Sequence, residues 1–293
     1  MIKIRNIIAS LLLLAVFPAV SQVLYKVEGN GLSEPSYIFG THHLAPLSMI
    51  ETFGADKPFE NSQQVVGEID ITVNRMTIAA AMEPFMLAPA DSTLSKVLSP
   101  EDYDLTNDQF KKWSPMPGMD LSMFDNYKPT LITTMVTVGM AASVMPGYNP
   151  TEQLDTYFQQ QGKQTGKTIT PLETVEEQAQ LLYCSTPIAY QAESLVEMLK
   201  EPENAIQLTK DLTEAYAAGD LDKMLTLSNQ DSEHPEFMKA LLDKRNANWL
   251  TKLPEIMSQA PTFIAVGALH LAGQQGIVEG LRNLGYTVTP VLK

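Results

Sequence analysis

The sequence is short of three things, and each shortage narrows what the chain can be. Cysteine occurs once in 293 residues, as Cys184, so no intramolecular disulfide and no multi-cysteine metal cage can organise the fold. Cys184 stands in the apolar stretch 179–184 and reads as a small buried hydrophobe rather than a nucleophile. Basic residues are also scarce: 20 Lys and Arg face 34 Asp and Glu, a net charge of −14. A surface of that sign offers no positive face to nucleic acid or an anionic membrane, and neither is expected as a partner. Long apolar runs, finally, are confined to two places. One, residues 131–145, is rich in Thr and bracketed by Pro129 and Pro146, which reads as a buried helix rather than a membrane span.

The other run opens the chain. Lys3 and Arg5 precede the apolar residues 7–20, which end in Ala19-Val20-Ser21, the pattern of an export signal cleaved after Ser21. The run contains Pro18 and falls short of the ~20 residues a spanning helix needs. A periplasmic or secreted location without stable membrane insertion is expected. Loss of Lys3 and Arg5 with the leader takes the net charge from −14 to −16. No low-complexity tract or charged linker divides the rest, so residues 22–293 read as one domain.

Histidine is nearly as rare as cysteine, with four in the chain. Two occupy matched settings 227 positions apart: Gly40-Thr41-His42-His43-Leu44-Ala45 and Gly267-Ala268-Leu269-His270-Leu271-Ala272. Each copy follows a short apolar run, so each reads as a buried strand that stops at a glycine and hands over to a histidine. The shared spacing selects His43 over His42, although His42 is an alternative acting group. His234, in a turn-like stretch before Pro235, reads as a surface residue.

Strands are expected at 23–27 and 36–39, a helical segment at 48–60, and a buried strand at 64–70 carrying Glu68 and Asp70. Carboxylates are depleted in strands and must be paired, metal-bound or protonated when buried. Helical periods follow at 78–86, 100–113, 129–144 and 151–161, then a strand at 168–173 ending in Glu173, which Pro171 confines to a sheet edge or strand terminus. Residues 175–258 are helical almost throughout. The chain closes on a strand (262–266), a helix (273–284) and a strand (286–291), a unit that favours a crossover between parallel strands. The fold class is α/β, with a mixed α+β arrangement as the alternative: a central sheet flanked by helices, and a helical middle inserted between sheet-forming ends.

In open α/β sheets ligands bind beyond the carboxyl ends of the strands. His43, Glu68, Glu173 and His270 would lie there, and two histidines with one or two carboxylates can hold a catalytic divalent metal. Glu173 fits three roles: a ligand, a general base, or the capping carboxylate of the helix that follows. Arg245 and Asn246, in the run 241–249, read on their own as part of an exposed charged helix face.

Several segments together resemble the TraB/GumN family, which includes the animal Tiki proteases: Leu24-Tyr25-Lys26-Val27-Glu28, residues 36–43, Leu172-Glu173-Thr174 with Glu177-Gln178, Arg245-Asn246, and residues 266–271. The resemblance implies a core shared with erythromycin esterase and ChaN-like proteins, with the motif histidines in a central cleft. It further implies metal ligands at His43, Glu68 and His270, with Arg245 and Asn246 as polar partners, and a divalent ion such as manganese, cobalt or zinc. The expected function is an exported metal-dependent hydrolase of peptide or amide bonds, with Glu173 as proton acceptor and Arg245 stabilising developing negative charge. Two other readings are a metal-independent, histidine-based esterase or amidase and a non-catalytic peptide-binding protein.

Overall fold

Among the described residues six strands form one sheet: β1 (Leu24–Glu28), β2 (Ser36–Thr41), β3 (Gln64–Gly67), β4 (Thr168–Pro171), β5 (Thr262–Gly267) and β6 (Thr287–Pro290), in the order β4-β3-β5-β2-β1-β6. In this computed structural model residues 22–114, 118–145, 148–149, 152–230 and 235–292 are described. The expected export signal (1–21) and His234 lie outside them. β4, β3, β5 and β2 run parallel; β1 is antiparallel to β2, and β6 antiparallel to β1. All of β3 and the first five residues of β5 are buried, as expected for parallel strands covered on both faces. The arrangement is the expected α/β one, with helices supplied largely by the long middle of the chain.

Particular elements depart from expectation for identifiable reasons. The segment 48–60 is two helices, Ser48–Phe53 and Asp56–Asn61, because Gly54 takes a left-handed conformation (φ 69°) and ends the first. β3 stops at Gly67, so Glu68 sits just past the strand end rather than within it. β4 stops at Pro171 and lies at the sheet edge, where a missing N–H costs nothing. The expected helix at 151–161 runs instead over Leu154–Gln164, and the one at 273–284 is shorter, Ile277–Asn283. The closing strand-helix-strand unit does not join neighbours: β2 and β1 lie between β5 and β6, and β6 forms the far edge against β1.

The described residues form two apolar cores. One lies against the sheet and includes Phe39, Phe158 and Phe263, with ring centroids 5.3 Å apart for Phe39 and Phe158 and 4.6 Å for Phe158 and Phe263. The other is helical and joins Pro100–Trp113, Pro129–Val144 and Ile188–Lys200 through Phe110, Ile132, Val136, Met140 and Leu195. Ile132, Val136 and Met140 recur every fourth residue on one stripe, which gives the apolar 131–145 run its buried face. Among the described residues no helix is long and apolar enough to cross a membrane. Cys184 is only partly buried, and its Sγ accepts from Lys128 Nζ at 3.1 Å.

Candidate active site

The four parallel strands deliver their carboxyl ends to one rim, and the loops leaving that rim carry His42 and His43, Glu68, Glu173 and His270. Register places Gly40 beside Val266 and Thr41 beside Gly267, so the two Gly-x-x-His segments lie side by side, offset by one residue. A Cβ on Gly40 would stand 2.9 Å from Ala268 Cα, so close packing of the two loops demands glycine there. Gly67 serves the third loop in the same way. A Cβ on it would fall 2.0 Å from Gln159 Nε2, which donates to Ile69 O at 3.0 Å while Gln159 Oε1 accepts from Ile71 N at 3.1 Å. The Gln159 amide thereby pins the backbone that follows Glu68.

Arg245 organises the network. It opens the helix Arg245–Gln259 directly after a π-helical turn, Ala240–Lys244; such a turn re-aims the residues that follow it. Asn246, Trp249, Leu253 and Met257 then form the buried stripe. Arg245 Nη2 donates to Glu68 Oε2 and Glu173 Oε1, each at 2.6 Å, and Nε donates to Glu173 Oε2 at 3.1 Å. Nη1 donates to Leu241 O at 3.2 Å and to His270 Nε2 at 3.0 Å. All five guanidinium N–H groups are therefore engaged, and none remains for an oxyanion. Arg245 holds the site's groups together, and the exposed helix face expected from its surroundings is not what the fold builds: its side chain is 10% exposed. The guanidinium also stacks on Trp249, with Cζ 4.6 Å from the ring centroid.

The carboxylates are further satisfied. Gln178 Nε2 donates to Glu68 Oε2 and Glu173 Oε1, both at 3.1 Å, and Gly267 N donates to Glu68 Oε1 at 2.9 Å. Burial pushes the Glu68 pKa up, but the positive charges of His270, when protonated, and of Arg245 outweigh it, as do the Gly267 and Arg245 hydrogen bonds, and hold it at about 2. Burial lowers the Arg245 pKa; Glu68 and Glu173 more than reverse this, and the net shift is upward. Capping of the helix Val175–Cys184 falls to Thr174 and Glu177, which form a reciprocal capping box. Glu173 is thus free of that duty and is spent on Arg245 and Gln178.

His270 is buried in a short 3-10 turn, Ala268–His270. Its Nδ1 is 2.7 Å from Asn246 Oδ1, and Asn246 Nδ2 donates to His270 O at 3.2 Å and Gln275 O at 2.9 Å. An amide oxygen opposite Nδ1 and a guanidinium opposite Nε2 assign the neutral tautomer with its proton on Nδ1. Burial lowers the His270 pKa to about 4, the charge of Glu68 opposing and that of Arg245 assisting; near neutral pH the ring is uncharged.

His43 makes none of these contacts. Its side chain is 69% exposed and its Nδ1 lies 3.7 Å from Asp155 Oδ2. His42 turns to the protein instead: Nε2 is 3.1 Å from Thr213 Oγ1 and the ring packs on Tyr216. Burial, with the neighbouring charge of His43, lowers the His42 pKa to about 4. Both rings, with Glu68, Arg245 and His270, line one cavity of about 400 Å³ whose walls are largely apolar, among them Ile69, Leu182, Leu212 and Met224. That size suits a small ligand or a short peptide segment.

Residues 23–290 match the model of the TraB/PrgY/gumN family. The chain belongs to that family. Among curated relatives, the metalloprotease TIKI2 of Danio rerio is 23% identical over 319 aligned residues, covering 90% of this chain and 60% of that protein. The metalloprotease TIKI1 of Homo sapiens is 25% identical over 309 residues, covering 87% and 59%. This TraB/PrgY/gumN chain therefore spans about 60% of the length of the curated relatives it matches. No solved structure matches it significantly.

The relatives' names raise the question of a metal, and the donors answer in two parts. The chemistry suits one: His270 has its Nδ1 anchored by a side-chain oxygen, as metal-bound histidines commonly do, and its Nε2 lies 3.8 Å from Glu68 Oε1. The spacing does not make a cage. Arg245 bonds both His270 Nε2 and Glu68, and among the described residues no three His, Cys, Asp or Glu side chains group as ligands for an ion. Of the six residues expected at the site, five form one hydrogen-bonded network, while His43 faces the same cavity without joining it. Sequence reasoning missed Trp249, Asp155 and Gln159. Gln178 stands five residues after Glu173, on the helix that follows it, and a contact between a residue before a helix and one inside it carries no periodic signal.

Proposed function

We propose that this protein is an exported hydrolase acting on a peptide or amide bond in the cleft between its two Gly-x-x-His loops. One observation carries the reading: three polar side chains from three separate chain segments, Glu68, Glu173 and His270, converge on the Arg245 guanidinium at the carboxyl rim of parallel strands, beside a cavity of about 400 Å³. Networks that bury two carboxylates and an arginine are costly to build, and their place at the rim is where α/β sheets bind ligands. The curated relatives are named metalloproteases, which agrees with hydrolysis as the reaction class. Export rests on the pattern of residues 1–21.

A divalent ion in the cleft would draw on His43, Glu68 and His270 and would supply a water of lowered pKa. The chain's own residues have definable tasks without it. His43, open to the cavity, is placed to move a proton to or from water or a leaving group. His270, neutral and fixed in one tautomer, accepts from Arg245 through Nε2 and anchors that guanidinium. Arg245 keeps Glu68 ionised and holds the Glu68 and Glu173 carboxylates stationary. The engagement of Arg245 with both Glu68 and His270 favours a second reading, in which histidine-based hydrolysis proceeds without metal.

The test is incubation of residues 22–293 with a peptide mixture, with manganese, cobalt or zinc and with chelator, followed by mass spectrometry. Cleavage that is lost in H43A, H270A and E68Q is the expected result, and chelator sensitivity separates the two readings. Peptides recovered intact under every metal supply would replace hydrolysis with binding.

A further inference from the structure

Asp155 lies in the first turn of the helix Leu154–Gln164. Its Oδ2 is 3.7 Å from His43 Nδ1. Its Oδ1 is buried and has no hydrogen-bond partner among the described residues. The nearby Tyr216 hydroxyl, whose pKa is raised by burial and by the charge of Asp155, donates to Gly40 O at 2.8 Å and so leaves the carboxylate to His43. Asp155 also lines the cavity that holds both motif histidines.

The second motif supplies the comparison. His270 Nδ1 faces Asn246 Oδ1, a side-chain oxygen from the helix packed opposite, and this sets the tautomer. His43 has the same arrangement on its own side of the cleft: a helix opposite, and a side-chain oxygen turned to Nδ1. The two loops are neighbours in the sheet, so the likeness extends from spelling to the second residue that each histidine needs. It differs in the acceptor, a carboxylate where the other site has an amide, in the longer contact and in the greater exposure of the ring. An exposed imidazole has little else to hold it; an oriented one needs such an oxygen.

We infer that Asp155 is the positioning residue of His43, accepting a hydrogen bond from its Nδ1–H as Asn246 does from that of His270, and leaving the His43 Nε2 as the nitrogen offered to the cleft. This rests on the reading of His43 as a working residue of the site. The contact at 3.7 Å is longer than a hydrogen bond, and such contacts commonly tighten when substrate closes over them.

The experiment is long-range proton–nitrogen NMR of the histidine rings in the 15N-labelled chain 22–293, above neutral pH, with the His43 signals identified by their loss in H43Q. His43 and His270 are both expected to carry the proton on Nδ1. Asp155→Ala should move His43 to the Nε2-protonated form that free imidazole side chains prefer and leave His270 unchanged. Asp155→Asn keeps an acceptor oxygen, as Asn246 does, and should retain the wild-type pattern; it also serves as the folded comparison if the alanine variant does not fold, with Asp155→Ser then testing the shortened reach. A His43 protonated on Nε2 in the wild-type protein, or one indifferent to Asp155→Ala or Asp155→Ser, overturns the inference. Peptide cleavage is read separately: Asp155→Ala should lower kcat roughly 10–100-fold with little change in KM. Intact cleavage in H43A alongside the expected NMR pattern would remove His43 from the proposed function and leave the positioning standing.

Discussion

Asn246 contacts both ends of His270 at once, its Oδ1 2.7 Å from the ring Nδ1 and its Nδ2 3.2 Å from the same residue's carbonyl oxygen. Both Nδ2 hydrogens are used, since Nδ2 also reaches Gln275 O. Asn246→Asp keeps an acceptor for the ring but brings an oxygen against two carbonyls. We expect both Asn246→Asp and Asn246→Ala to lose ~1–3 kcal/mol in urea unfolding, with hydrolysis falling roughly 10–100-fold. An unfolding midpoint equal to wild type in both would show that the two carbonyl bonds carry no weight.

Arg245→Ala should be the most damaging single change at the site. It leaves the Glu68 and Glu173 side chains, 25% and 6% exposed, facing each other without a cation, and removing one partner of a buried ion network costs ~3–5 kcal/mol. Arg245→Lys keeps the charge but cannot serve five acceptors in a fork, so it should fall between. Adding Glu173→Gln to Arg245→Ala should recover part of the loss in the same unfolding assay. A double variant less stable than Arg245→Ala would locate the damage in packing on Trp249 instead.

Much of this site was legible in the sequence because strand-ending glycines and repeated histidines are local signals. His43, His270, Glu68 and Glu173 all stand at the strand ends that the apolar runs mark. Arg245 was not legible from its surroundings: a charged residue in an amphipathic run reads as solvent-facing, and only the π turn before it rotates that position inward. Nor was the termination of β3, which depends on Gln159, more than ninety residues away, filling the space a side chain at Gly67 would need. Asp155 carried no local signal beyond an ordinary acid in the first turn of a helix. The destination of β6 likewise depends on pairing with β1, which no local pattern encodes.

Acid should destabilise the protein in two stages. His270 and His42 have folded-state pKa values of about 4 against an ordinary 6.5, so the unfolded chain takes up protons first, and stability that is complete above pH 6.5 is lost as pH falls towards 4. Two such groups set a limiting slope of ~2.7 kcal/mol per pH unit, with His42 contributing less because it is partly exposed. The Glu68 contribution, present above its ordinary 4.5, is lost as pH falls from there to about 2. Thermal melts of wild type and His42→Asn across pH 7 to 4 check the first stage: the variant should show the shallower decline. Parallel curves would mean that His42 does not titrate differently in the two states.

Gly40→Ala tests the close approach of the two motif loops. Its methyl would lie 2.9 Å from Ala268 Cα, a backbone atom, and overpacking of this kind costs ~1–3 kcal/mol. Because the obstruction is backbone, Ala268→Gly should fail to rescue it. Full rescue by Ala268→Gly in thermal melts would place the clash on the Ala268 methyl, 3.0 Å away, instead.

The position of β5 has a bearing on how the molecule is made. It is the strand between β3 and β2, yet almost two hundred residues separate it from β3 along the chain. Until the ribosome has released residues 262–267, β2 and β3 each present an unpaired edge to the solution, and pairings of such sequence separation form slowly. Those two edges remain open for most of the synthesis, and both close with the same event. A chain interrupted before residue 262 would be expected in aggregates, or held by a chaperone.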